Sequence, residues 1–249
     1  MLTPVADRRV RHIKPPAFIH LFKAAGTSIQ IQMRTVLGTD AVPKINDSRS
    51  FVADVGAALD DPSVEIICGH FSFARINQAY LAANKGSPVC FTFLRDPVDR
   101  LVSSYNYFRE TAGEKWHDQA AAMSLDDFAL FLLDNDPRAI CNHQCQELSA
   151  DHTPTFAAAR ANIEAHFAFV GSVDEMEAAN RVAQDWLGLR WDAGKRLNVS
   201  SHGVTRRRLS PTVRARVAAA TAEDQELIAF IRDRGCFVGQ AAERTAKSA

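Results

Sequence analysis

Ala17-Phe18-Ile19-His20-Leu21-Phe22-Lys23-Ala24-Ala25-Gly26-Thr27-Ser28-Ile29 is the stretch that decides the fold. Residues 17–22 form an almost continuous apolar run, the pattern of a short strand covered on both faces. Beyond a turn of small residues, Ile29, Met33, Val36 and Leu37 recur at helical spacing until Gly38. The pattern predicts strand, turn and helix, with the helix beginning at Thr27 or Ser28. The first N–H groups of a helix lack intrahelical partners and lie at its positive dipole end, so such a turn suits a phosphate or similar oxyanion. Gly26 lets the backbone approach closely, Thr27 and Ser28 add hydroxyl donors, and Lys23 brings a mobile positive charge. An ordinary strand-to-helix connection is the alternative for this stretch taken alone.

A second stretch has the same grammar. Residues 89–94, Val-Cys-Phe-Thr-Phe-Leu, predict a strand that runs into Arg95-Asp96-Pro97. Asp96 suits a helix N-cap and Pro97 the first helical position, while Val98, Leu101, Val102 and Tyr105 form one apolar stripe. Ser103 projects away from that stripe. An arginine fork at a strand end and a hydroxyl on the following helix make a phosphate-binding pair.

Between these stretches, residues 64–68 predict another strand, followed at once by Gly69 and His70. Ligands of open α/β sheets lie outside the carboxyl ends of strands, which puts His70 where chemistry would happen. His20 is its nearest competitor. It falls inside the predicted first strand with Phe18 and Phe22 on the same side, the setting of a satisfied structural histidine.

The rest of the chain reads as scaffold. Residues 51–59 fit a helix, and Ser124-Leu125-Asp126-Asp127 resembles a capping box before a helix burying Leu125, Phe128, Ala129 and Leu132. Residues 167–171 fit a strand, and Ser172 to Glu175 cap the helix that carries Met176, Ala179, Val182 and Trp186. Residues 196–209 form a basic loop with Arg206-Arg207-Arg208 that could close over a ligand, and a last helix is expected over residues 211–234. A chain of 249 residues, 47% hydrophobic, fits one large domain over residues 17–240, with an extension at 1–16 and a frayed tail at 241–249.

Formal net charge is zero, which argues against bulk nucleic-acid binding. No apolar run approaches the length of a membrane span, and the basic residues before Pro16 have no signal-peptide core behind them. The five cysteines include Cys68 and Cys90 in apolar runs, a usage that suits a reducing cytoplasm. Cys141 and Cys145 have no second ligand cluster at finger spacing.

Taken together, Phe18 to Ser28 and Phe93 to Tyr105 resemble the nucleotide motifs of carbohydrate sulfotransferases. The family uses 3′-phosphoadenosine 5′-phosphosulfate (PAPS), and the likeness is to the heparan sulfate 2-O-sulfotransferase-like branch and bacterial sulfotransferase family 2. The resemblance implies an α/β, P-loop-like three-layer fold with a central, mainly parallel sheet flanked by helices. It puts Lys23, Ala25, Gly26, Thr27 and Ser28 on the 5′ phosphosulfate, and Arg95 with Ser103 on the 3′ phosphate. It adds Arg206 and Arg207 as further nucleotide contacts, and makes His70 the catalytic base, with Cys68 where some relatives have another histidine. Phe22 replaces the family's usual proline and Ala24 its usual threonine.

The implied reaction is transfer of a sulfuryl group to an acceptor hydroxyl, with a saccharide expected, PAP as product and no metal required. Lys23 and the backbone donors would stabilise the departing nucleotide, and neutral His70 would take the hydroxyl proton. A P-loop kinase would share the architecture, but the signature G-x-x-x-x-G-K-[ST] is absent, since Lys23 precedes Gly26. A relative that binds nucleotide without turnover is the other alternative.

Overall fold

The computed structural model describes residues 14–190 and 209–239. Their centre is a sheet of five strands in the order β2-β1-β3-β4-β5. These are β1 (Ala17–Ile19), β2 (Ile67–Gly69), β3 (Cys90–Leu94), β4 (Phe167–Ser172) and β5 (Phe237–Val238). The first four pair in parallel, and β5 closes one edge antiparallel to β4. The chain lays β2 on one side of β1 and then crosses back to place β3 on the other. The order therefore reverses between β1 and β3, and the crevice outside their carboxyl ends is where such sheets hold ligands.

Side-chain alternation builds the two faces. Ala17 and Ile19 of β1 join Leu94 and Val170 in one core, with Phe51 and Val55 of α2 (Phe51–Asp60) and Ile76 and Tyr80 of α3 (Phe73–Ala82). Ile163 of α8 (Phe156–His166) and Leu227 of α11 (Ala222–Arg232) complete that layer. On the opposite face Phe18, Phe91, Phe93 and Phe169 meet Ile29 and Met33 of α1 (Gly26–Leu37) and Ala179 and Ala183 of α9 (Met176–Leu187). The result is a three-layer α/β/α fold, with free Cys68 and Cys90 fully buried in its strands.

A third core stands beside the sheet. It joins Leu101, Tyr105 and Phe108 of α4 (Pro97–Glu110), Ala120 of α5 (His117–Ala122), Phe128 of α6 (Leu125–Asn135) and Val213 and Val217 of α10 (Pro211–Ala220). The short α7 (His143–Leu148) packs by Cys145 and Leu148 into the first core. Among the described residues no helix is long and apolar enough to cross a membrane.

Several expected elements change in extent. The first strand ends at Ile19 rather than at residue 22: Leu21 turns back its N–H to the Ile19 carbonyl (3.2 Å), and Leu21 and Phe22 bury themselves outside the sheet. The second strand is Ile67–Gly69 rather than residues 64–68, because Glu65 and Ile66 donate to the Ala41 carbonyl instead (2.9 and 3.1 Å). Ser172 caps a single 3-10 turn, Val173–Glu175, that precedes α9. The single helix expected over residues 211–234 is two. They part at Thr221, which is fully buried with its hydroxyl bonded to the Val217 carbonyl (2.8 Å), and Asp224 beyond the break is turned inward. Ser124 does accept the Asp127 N–H (3.2 Å) and donates to its carboxylate (2.7 Å), giving α6 the expected cap with Asp in place of Glu.

Candidate active site

Residues 20–25 leave the end of β1 in a tight turn. Lys23 and Ala25 both take left-handed backbone (φ 62°), a conformation that costs a non-glycine residue about 1–2 kcal/mol and marks a segment held by its surroundings. The helix α1 begins at Gly26, before the expected Thr27 or Ser28, and its N-cap Ala25 has no side chain to offer the first turn. Ser28 N–H turns back to the Ala25 carbonyl (3.1 Å). No side chain of the N-cap residue takes up the N–H groups of Gly26 and Thr27. Thr27 is exposed and Ser28 half-buried on that first turn. Gly26 is required by contact rather than by backbone angle: a Cβ there would collide with the His20 ring at Cγ, Cδ2 and Nε2.

Lys23 carries its Nζ 4.2 Å from the centre of the Tyr107 ring, a cation–π contact on α4. Burial lowers its pKa, the Arg95 charge lowers it further, and Glu110 and Glu114 oppose both. Tyr107 in turn donates to Glu114 Oε1 (2.5 Å), a bond that, with some burial, pushes the phenol up to about 12. Tyr107 and Glu114 were not singled out in the sequence, where an aromatic off the apolar stripe of α4 and an acid in a loop carry no distinguishing signal.

Arg95 follows β3 directly and is bound on both sides of its backbone by one side chain. Its N–H donates to Gln144 Oε1 (2.9 Å) and its carbonyl accepts from Gln144 Nε2 (2.9 Å). Gln144 is fully buried, and Asp224 of α11 receives the N–H groups of Gln144 (3.1 Å) and Cys145 (2.8 Å). The guanidinium reaches the first motif, with Nη1 donating to the Lys23 carbonyl (3.2 Å). Burial lowers the Arg95 pKa against the opposing charges of Asp99 and Asp96. Asp96 caps α4 as expected, accepting from Val98 N–H (3.0 Å) and Asp99 N–H (3.1 Å) with Pro97 in the first turn. Ser103 is half-buried two turns into α4, the helix that Arg95 leads into.

His70 stands one residue past β2, half-buried, after a glycine whose Cβ would run into the Ile45 carbonyl. Its Nδ1 lies 2.8 Å from the His20 carbonyl oxygen. A carbonyl only accepts, so Nδ1 holds the ring proton and Nε2 keeps its lone pair. Burial lowers the His70 pKa, only partly offset by that bond, so the imidazole is neutral at pH 7.

His20 corrects the sequence reading. It lies beyond the end of β1, not inside the strand, and Phe22 packs on Tyr107 and Phe108 (5.5 and 5.6 Å between rings) and edge-on to His70 (6.3 Å). Its ring is 4.0 Å from that of His70, and its buried Nδ1 has no hydrogen-bond partner among the described residues, so it is not a satisfied structural histidine. Direct contacts thus join Lys23 to Arg95 and His70 to Gly26 by way of His20. Arg206 and Arg207 lie outside the described residues. A cavity of about 360 Å³ lies elsewhere, lined by Arg138, His143 and Glu147 among others and by none of the nucleotide-motif residues.

A family model described as "Sulfotransferase family" matches residues 17–233. Among solved structures, a sulfotransferase from Alicyclobacillus acidocaldarius is similar, with 14% identity, coverage of 88% of this chain and 96% of that chain, and a TM-score of 0.49. A search of the curated proteins gives no match.

Proposed function

Because this chain belongs to the sulfotransferase family and so to the proteins of sulfuryl transfer, we propose that its donor is PAPS and its acceptor a hydroxyl, with a saccharide or glycoconjugate as the acceptor class. One observation carries the donor assignment: an uncapped helix start at Gly26 lies beside Lys23, whose carbonyl is held by the guanidinium of Arg95 from the next strand. Two cationic side chains and free helix N–H groups at one switch point fit a nucleotide that is anionic at both its 5′ and 3′ ends.

The donor, when bound, supplies the activated sulfuryl group. The roles of this chain's own residues follow from their placement. Lys23, the N–H groups of Gly26 and Thr27 and the Thr27 and Ser28 hydroxyls hold the 5′ side and oppose the charge that grows on the leaving oxygen. Arg95 and Ser103 hold the 3′ phosphate. His70 takes the acceptor proton at Nε2, the ring nitrogen left free by the bond from Nδ1–H to His20. Free, buried Cys68 and Cys90 support a cytoplasmic setting.

Mass spectrometry of products from PAPS with a panel of saccharide, lipid and phenolic acceptors, run with excess chelator, tests the reading. A sulfated saccharide formed in chelator is the expected result. A strict requirement for a divalent metal with ATP as the phosphoryl donor would replace it with the kinase alternative.

A further inference from the structure

We propose that His20 is a positioning residue of this site: its ring, wedged between the Gly26 backbone and the His70 imidazole, ties the orientation of the base to the phosphate-binding turn. The donor part of this inference rests on the function proposed above; the link between the two histidines does not.

Four contacts carry it. The His20 N–H donates to the Gly69 carbonyl (2.9 Å), which pins residue 20 to the end of β2 beside His70. The His20 carbonyl takes the Nδ1 proton of His70 (2.8 Å), so the backbone of the first turn sets the tautomer of the base. The His20 ring lies between Phe18 (6.0 Å, 11° between planes) and His70 (4.0 Å, 31°), a stack that fixes the His70 ring from one side. On its other edge the ring fills the space a Cβ of Gly26 would need. The first residue of the anion-binding helix and the base therefore touch the same imidazole.

The nitrogen of that imidazole is the telling detail. His20 is 5% exposed and its Nδ1 has no partner. Buried polar groups are nearly always satisfied, and an unsatisfied one is a cost to stability that an apolar ring of similar size would avoid. Burial holds the His20 pKa at about 3, with the charges of His70, Lys44 and Lys23 acting in the same direction. The ring therefore stays neutral while its neighbour gains and loses a proton, and does not repel it.

Nuclear magnetic resonance titration of the ring protons of His70, in the free protein, tests the link without donor or acceptor. The groups acting on His70 are His20 from the first turn, Lys44 from the segment before β2, and Glu114 from the loop after α4. In His20→Ala, water enters the space of the lost ring, and the His70 pKa should rise toward its ordinary value by about half a unit or more. Superimposable titrations would overturn the proposal.

A double-mutant cycle on binding of 3′-phosphoadenosine 5′-phosphate, read by calorimetry, tests the other side. Gly26→Ala should weaken binding roughly tenfold or more, because its new methyl group and the His20 ring compete for one place. Adding His20→Ala should bring affinity back to within about threefold of the unsubstituted protein. If the second substitution does not recover binding, His20 and Gly26 are not coupled and the proposal fails. Should no variant, nor the unsubstituted protein, bind the nucleotide, the donor assignment falls while the titration still decides the link between the histidines. If His20→Ala does not fold, His20→Ser, which empties the same space, gives the same two readouts.

Discussion

The turn after β1 and the junction after β3 serve neighbouring parts of one crevice, yet they solve the start of a helix in opposite ways. At the junction, Asp96 accepts the N–H groups of Val98 and Asp99, and Pro97 has none to offer. The helix α4 therefore spends its first donors on its own cap. At the turn, Ala25 offers no cap, and two non-glycine residues are held left-handed to bring the start of α1 into place. Of these two helices only α1 leaves its first backbone donors uncapped, and in the function proposed above the work at α4 falls to side chains, Arg95 and Ser103. One half is stable and armed with side chains; the other is strained and open.

The sharpest test of that division removes a group that belongs to neither helix. His70→Ala should lower turnover by roughly 10²–10⁴-fold while calorimetry finds the affinity for 3′-phosphoadenosine 5′-phosphate nearly unchanged. Parallel loss of both would move His70 from the chemistry into the nucleotide site.

Acid should cost both halves stability, through His20 at the turn and through His143 of α7, whose pKa burial also lowers to about 3. His20 is neutral in the fold with its pKa lowered to about 3, against about 6.5 in the unfolded chain. The unfolded state then binds the extra proton, so stability is fully present above about pH 6.5 and is lost progressively toward pH 3, by up to about 1.4 kcal/mol per pH unit. Urea unfolding at a series of pH values measures this slope, and His20→Leu should reduce it by the share of one histidine, leaving that of His143.

Arg95→Ala should weaken binding of 3′-phosphoadenosine 5′-phosphate by about 1.5–3 kcal/mol, roughly ten- to a hundred-and-fifty-fold. ATP, which lacks the 3′ phosphate, should bind more weakly to the unsubstituted protein and change little in the variant. Equal loss for both ligands would mean that Arg95 acts through the Lys23 carbonyl rather than on a phosphate of its own.

Two smaller effects contrast the helix starts directly. Asp96→Ala removes a cap and should cost about 0.5–2 kcal/mol in urea unfolding. Ala25→Gly removes no contact and relieves a left-handed alanine; it should stabilise by about 1 kcal/mol or less and raise the melting temperature by a few degrees. A destabilised Ala25→Gly would show that the turn is not strained.

Legibility in the sequence follows the same division. The start of α4 was readable to the residue because Asp96 and Pro97 act locally, and a local signal survives without knowledge of the fold. The end of β1 was not, since Leu21 and Phe22 continue its apolar run while leaving the strand, Leu21 for the core on one face of the sheet and Phe22 for the core beside it. A pattern of hydrophobicity reports burial, not the partner. The left-handed alanine was hidden for a related reason: nothing in Ala24-Ala25 favours that backbone, and the packing around it imposes it. His20 looked structural because its period matched Phe18 in a strand that ends one residue before it. The grip of Gln144 on Arg95 and the break at Thr221 depend on contacts between distant parts of the chain, which no local window contains.

That grip also sets an order of events during synthesis. Arg95 is fixed by Gln144, and the segment holding Gln144 is fixed by Asp224, so one wall of the crevice depends on a residue near the end of the described chain. A nascent chain still lacking α11 has its sheet strands β1 to β4 in hand and the anion turn ready to form, but nothing yet holds Gln144 against the end of β3. Nucleotide should therefore gain its full grip only after the ribosome has released the last helix, and a stalled chain should be a poor competitor for the cell's donor pool.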